Sequence, residues 1–177
     1  RRFLVLLVFV AIVGVIASLA AWSFQQLIYQ MQQGVFDDLP GTLGFDSVPV
    51  WWPLPWLLVA GVVVAFAIVR LPGTGGHVPA HGLDPSPTQP IELPGLLLAA
   101  VAGIGLGIVL GPEAPLIGLG GALGFLLIRS IRSDTPPEAQ TLIATSGVFA
   151  ALSFLFGSPV IAAVSLIEAS AIGGAQM

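Results

Sequence analysis

Residues 95–128 read GLLLAAVAGIGLGIVLGPEAPLIGLGGALGFLLI and hold a single charge, Glu113. At about 1.5 Å of rise per residue, a helix of this length overshoots a bilayer core of about 30 Å. The stretch is also cut in its middle by Gly111-Pro112-Glu113-Ala114-Pro115. Proline removes an N–H and clashes with the turn before it, so a helix does not run through such a segment. The reading is two helices, about 95–110 and 115–131, that meet at a break inside the membrane.

The flanking sequence extends this pattern. Residues 3–21 carry no charge, and the apolar run continues in helical fashion to about Met31, long enough to span. A secretory signal peptide cleaved near Ala20-Ala21 is the rival reading. The length of the run and the spans that follow argue against it. Residues 32–53 are polar and loop-like, with Asp37, Asp38 and Asp46 and no cation. Trp51, Trp52 and Trp56 stand at the next boundary, as an interfacial aromatic belt does. A second span runs from Leu54 to Val69 and ends at Arg70.

The basic ends are Arg1/Arg2, Arg70 and Arg129/Arg132. By the positive-inside rule they face the cytoplasm, so the N-terminus is cytoplasmic and the acidic 32–53 loop faces out. Residues 71–94 are too rich in Gly and Pro to be helical throughout, but a short helix is expected to begin near Pro79. Residues 133–138 form a polar turn in which Thr135 caps a helix starting at Pro136. The apolar stretch 141–167 is again cut, by Gly157-Ser158-Pro159, and ends at Glu168. The tail Ala169–Met177 stops abruptly, as a fragment would.

Composition agrees with this reading. Of 177 residues, 56% are apolar and 8% charged, against about 25% charged in soluble domains. That excludes an ordinary soluble globule, and a disordered chain as well. All five cations are arginine, and the net charge is −4. A nucleic-acid partner, which needs a cationic face, is therefore not expected. With no cysteine, there is no disulfide framework and no thiolate metal site. The fold class expected is all-α: a multi-pass membrane protein with broken and re-entrant helices, forming one transmembrane domain over residues 1–177.

Three breaks are built alike, at Gly73–Pro79, Gly111–Pro115 and Gly157–Pro159. Each places Gly and Pro at or just before a helix start, where unpaired N–H groups and the positive end of the helix dipole are exposed. Several such ends converging in a bilayer make an anion site without any full positive charge. Glu113 is then the most informative residue, because an ionisable group at mid-membrane is costly and usually functional. A carboxylate beside an anion site competes with the anion for the same donors. The alternative is a carboxylate that only caps the following helix.

These residues resemble a known family. Gly111-Pro112-Glu113-Ala114-Pro115 is similar to the G-(K/R)-E-G-P signature of CLC chloride channels and chloride/proton exchangers. Gly75-Gly76-His77-Val78-Pro79 resembles the family's G-S-G-I-P. Ala144-Thr145-Ser146-Gly147, and Ser158-Pro159 through Glu168, resemble its A-T-G-A and A-P-L-A-G-x-L-F-x-I-E-E stretches. Leu119-Gly120-Gly121 matches an I-G-G. Order and spacing agree over about residues 54–170.

The resemblance implies that Glu113 is a gating glutamate. Gly111 and Ala114 would line the anion path, and Gly75 to Pro79 would begin a short helix aimed at the central anion. It also implies a homodimer with one pore per subunit, each subunit built from two inverted halves, of which this chain is the first. Chloride or another small inorganic anion is the ligand expected, with no other cofactor.

The departures are specific. The family's anion-binding serine aligns with Gly76, leaving Thr74 as the nearest hydroxyl and His77 as the nearest imidazole donor. Pro112 replaces the usual cation and Ala114 a glycine. The second glutamate of the E-E pair, which relays protons in exchangers, is Ala169 here. Only Glu168 remains, as a group for a proton or water path or as an acceptor for nearby backbone. This favours passive conduction. The family's G-x-F-x-P motif and inner tyrosine have no counterpart, since the one tyrosine is Tyr29 in the first span.

The leading expectation is a voltage-gated-type chloride channel or transporter in the cell membrane, and not an enzyme. Two alternatives stand beside it, a chloride/proton antiporter and a non-conducting membrane scaffold. A zinc site on His77 and His81 is disfavoured, because Val78 stands where a metalloprotease helix carries Glu and Pro79 interrupts the helix. The glycines at 103, 105 and 107 follow no strand, so they are not a dinucleotide loop. Spacings such as Gly120/Gly124 are expected to let helices approach closely.

Overall fold

The computed structural model describes residues 2–73, 88–131 and 135–174, with side chains described for 6–73, 88–131 and 135–168. In chain order the helices are α1 (Arg2–Gln33), a π-helical turn (Gly34–Asp38), α2 (Leu39–Thr42), α3 (Pro53–Arg70), α4 (Leu93–Gly105), α5 (Glu113–Ile131), α6 (Pro137–Phe156) and α7 (Pro159–Gly174). There is no strand among the described residues. Leu6–Thr42, Pro53–Arg70, Glu113–Ile131 and Pro137–Phe156 are each long and apolar enough to cross a membrane. The 13 residues of α4 rise only about 20 Å, short of a full span. The chain is an all-α, multi-pass membrane protein.

The two internal breaks fall where Gly and Pro place them. The 95–128 stretch divides into α4 and α5, with α4 ending at Gly105 rather than at the expected 110 because the chain turns at Gly107, and the 141–167 stretch divides into α6 and α7. At the second break Gly157 takes a left-handed conformation (φ +61°) and ends α6. Ser158 then accepts a 3.4 Å hydrogen bond from the Ile161 amide at the start of α7.

Two expectations are corrected. The chain does not become a loop at residue 32. It stays helical through Gln33, widens into the π turn and closes with α2. Glutamine is a good helix former, and the first breaker is Pro40. In a regular α-helix Pro40 would clash with the Phe36 carbonyl and leave it without a donor. The chain widens instead, and the Leu39 amide bonds the Gly34 carbonyl. Nor does Thr135 cap α6: the N-cap is Pro136, without a side-chain hydrogen bond. Gln140 Nε2 instead donates back to the Thr135 carbonyl at 2.7 Å. The start of a helix near Pro79 lies outside the described residues.

The most extensive helix pair is α5 with α6. A Cβ added at Gly120 would strike the Gly147 carbonyl, and one added at Gly147 would strike that of Gly120. One turn on, a Cβ at Gly124 would lie 2.6 Å from Ala144 Cα. The two backbones therefore touch along an antiparallel seam, as the glycine spacing implies.

Three apolar clusters surround this seam. At one end Val13 of α1 meets Ile128 and Ile143. At the other, Phe24 and Ile28 of α1 meet Ala100 and Ile104 of α4, Leu116 and Leu119 of α5, and Ala151 of α6. A third cluster joins Ile117, Val148, Leu152 and Ala162, from α5, α6 and α7. The helices are thus ordered so that the ends of α1, α4 and α6 and the starts of α5 and α7 lie at the same end of the bundle.

Gly147→Val is expected to force the seam apart, lowering stability by at least about 1–3 kcal/mol. A drop in the unfolding temperature of the detergent-solubilised protein would register it. Gly61→Ala is the control, because a Cβ there meets open space and the melting temperature should hold.

Candidate functional site

The α4–α5 break is built from a helix end, a short connection and a helix start. α4 ends on a Gly-type cap. The Ile108 amide bonds the Gly103 carbonyl at 2.9 Å and the Gly107 amide bonds the Ile104 carbonyl at 3.2 Å. Gly107 has φ +102°. This pair of reversed bonds is the Schellman arrangement, which satisfies carbonyls that a helix end leaves unpaired. It requires a residue without a Cβ penalty at its turn.

The end of α1 closes over this cap. Gln32 Nε2 donates to the Ile104 carbonyl at 2.8 Å, the same oxygen that the Gly107 amide bonds. The Met31 thioether packs where a Gly105 Cβ would be, and the Phe36 ring where a Gly107 Cβ would be, with Cζ 2.9 Å from that position. The π turn that carries Phe36 is held in turn by Trp52, whose Nε1 donates to the Val35 carbonyl at 2.9 Å. Trp52 is accordingly buried, whereas Trp51 is 53% exposed. Of the tryptophans expected in an interfacial belt, Trp52 belongs to the interior.

After the cap, Ile108 to Gly111 run exposed and Pro112 to Ala114 half-buried. The Leu116 amide bonds the Pro112 carbonyl at 3.0 Å. Among the described residues, the Glu113 and Ala114 amides at the start of α5 have no backbone acceptor, and Pro115 has no N–H. The Glu113 side chain folds back: its carboxylate sits where a Gly111 Cβ would be, with Cδ 2.6 Å from that point. No hydrogen bond to this carboxylate is present among the described residues, so it does not act as a cap on the α5 amides. Directly below, Leu116 is fully buried in the α1–α4–α5–α6 cluster.

The structure therefore brings Gly111, Glu113 and Ala114 together at one helix start. The start of α7 comes to the same end of the bundle through Ala162, which packs with Ile117. Glu168 is exposed on α7, just past the middle of that helix. Thr74, Gly75, Gly76 and His77 lie outside the described residues, as do His81 and the backbone up to 87.

Sequence reasoning missed three contributors. Gln32 and Phe36 lie in a stretch read as loop. Thr88 places its hydroxyl against Gly118 of α5, 3.1 Å from the position of an added Cβ. A lone Gln, Phe or Thr carries no pattern, and only the packing of distant segments brings these residues to the break.

Comparison with known proteins adds a lineage to this geometry. Residues 80–173, more than half of the chain, match the family described as voltage gated chloride channel. Proteins of Salmonella paratyphi A and Salmonella typhimurium, each named "Putative ion-transport protein YfeO", are 34% identical over 165 residues, 93% of this chain and 39% of theirs. A protein of the same name from Salmonella enteritidis matches to the same extent. The chain thus spans about two fifths of the length of these relatives. No solved structure matches at comparable stringency.

Gly107→Ala is expected to cost about 1–2 kcal/mol, because its φ is left-handed and L residues are strained there. The added Cβ also meets the Phe36 ring. The thermal midpoint in detergent should fall, while circular dichroism at low temperature keeps its helical signal.

Proposed function

The chain belongs to the voltage-gated chloride channel family, and from that premise we propose that it forms the first part of a subunit that passes a small anion, a halide, across the cell membrane, with Glu113 as the gate. The observation that carries this reading is the Glu113 carboxylate folded over Gly111 at a helix start whose first amides lack backbone acceptors among the described residues. Those amides and the positive end of the α5 dipole attract an anion without any full positive charge. The carboxylate and a halide compete for this place. When Glu113 is protonated or turned away, the halide takes the donors in exchange for part of its hydration shell. Binding by dipoles alone is weak enough for the ion to leave again, as conduction requires.

Gly111 and Ala114 would line the path, joined by Thr74, Gly75, Gly76 and His77 from the preceding break. Ala169, at the position of the exchangers' internal acid, favours passive flow over proton antiport, and Glu168 would line a water path. In this reading the N-terminus is cytoplasmic and the subunit pairs as a homodimer in the bilayer. A non-conducting scaffold is the second reading.

Chloride efflux from liposomes carrying the longest natural reading frame that contains this segment, with internal pH followed in parallel, tests the proposal. Efflux is expected to rise as pH falls, without opposed proton movement. Glu113→Gln should remove most of that pH dependence and hold flux near its acidic value. Opposed proton movement would establish antiport, and absence of halide flux would leave the scaffold reading.

A further inference from the structure

We propose that the π-helical end of α1 is the clamp that sets the resting position of the gate, with Gln32 as a positioning residue for the Glu113 carboxylate. This rests on the reading of Glu113 as a gate.

A π-helical turn is rare and is often found at functional sites. Here it directs the α1 end to one target, the cap of α4. Gln32 supplies a second donor to the Ile104 carbonyl, which already bonds the Gly107 amide at 3.2 Å. Phe36 lies over Gly107, and Trp52 holds the turn by its bond to Val35. Every connection between this clamp and Glu113 is short. Gly107 is followed by a tight three-residue turn in which the Leu110 amide bonds the Ile108 carbonyl at 2.9 Å. Gly111 comes next, and the Glu113 carboxylate lies against it.

That carboxylate has no hydrogen bond of its own among the described residues, so its position is inherited from the backbone beneath it. Fixing the Gly107 turn fixes where Gly111 sits. Gly111 in turn sets where the carboxylate rests beside the start of α5. The other titratable groups on the elements packed here are Asp37 and Asp38 on the turn, both exposed, Arg2 and Tyr29 on α1, Arg70 in the last turn of α3, Glu92 at the N-cap of α4, Arg129 and Glu138 at the far ends of α5 and α6, and Glu168 on α7. None lies within α4 itself. Glu113 is therefore the group through which the clamp would be read.

The test uses the full-length natural protein in liposomes. Gln32→Met keeps the side-chain length and removes the donor. With the loop released, the carboxylate keeps its place at Gly111 for less of the time, and halide flux at alkaline pH should rise on the order of three- to tenfold, the weight of one hydrogen bond. Flux at acidic pH should stay near wild type, so the pH profile flattens. Gln32→Glu, which faces the carbonyl with a second acceptor, should flatten it further. In the Glu113→Gln background, Gln32→Met should have no further effect on the profile.

Phe36→Leu, which keeps an apolar contact at Gly107, serves as a second variant should Gln32→Met fail to assemble, with the same flattening expected. An unchanged pH profile in both variants, with Glu113→Gln still removing pH dependence, would overturn the clamp and leave the gate standing. Persistence of pH dependence in Glu113→Gln would overturn the gate and the clamp with it.

Discussion

Backbone contact between α5 and α6 organises the molecule. In lipid no hydrophobic force drives helices together, so association depends on close packing, and small residues permit it. At Gly120 and Gly147 the approach leaves no room for a Cβ on either helix. The seam is antiparallel, so the start of α5 and the end of α6 share a level. The turn at Gly157 then returns the chain, and α7 begins at that level too. A convergence of helix starts, which an anion site without cations needs, is thus a consequence of one glycine contact.

The long first helix serves both ends of the bundle. Its early residues meet the closing turns of α5 and the opening turns of α6 around Val13. Its later residues meet α4 and the start of α5 around Ile28. Much of its other surface is apolar and exposed, including Leu7, Val8, Ile12, Val15 and Leu19, as suits a face toward lipid. The family match begins at residue 80, after α1 and α3, while the similarity to the curated relatives covers 93% of the chain. The segment that closes over the α4–α5 break therefore lies outside the matched family region, within a chain whose similarity to those relatives is nearly end to end.

Electrostatics at the break are spare. Among the described residues of the break, 106–116, Glu113 is the one charge, and the nearest cation on the same helix, Arg129, lies in the last turn of α5, over the Phe125 ring at 5.9 Å. In the proposed reading, an anion at this helix start meets the α5 dipole and its first amides rather than a full positive charge.

Much of this was legible in the sequence. The apolar lengths specified the spans, since a bilayer core admits about 20 helical residues. Gly-Pro clusters located the breaks at 111–115 and 157–159 within a few residues, because proline and left-handed glycine act through the local backbone. The close approach at Gly120 was likewise visible in its spacing. The Gly-Pro break at 111–115 and the charge at Glu113 together marked the candidate site. Tertiary structure decided the rest. Residues 32–42 looked like a polar loop, yet stay helical, with the Val35 carbonyl bonded by the Trp52 indole and Gln32 bonded to the α4 cap. Trp52 stands at the expected boundary, and the fold packs its ring inward with Nε1 bonded to the Val35 carbonyl. Gln32 reaches a carbonyl 72 positions away, and no local pattern encodes a bond of that kind. Helix starts and stops are properties of the chain's own backbone, so sequence alone determines them. Which helix end meets which loop depends on packing between distant segments, and that only the folded bundle settles.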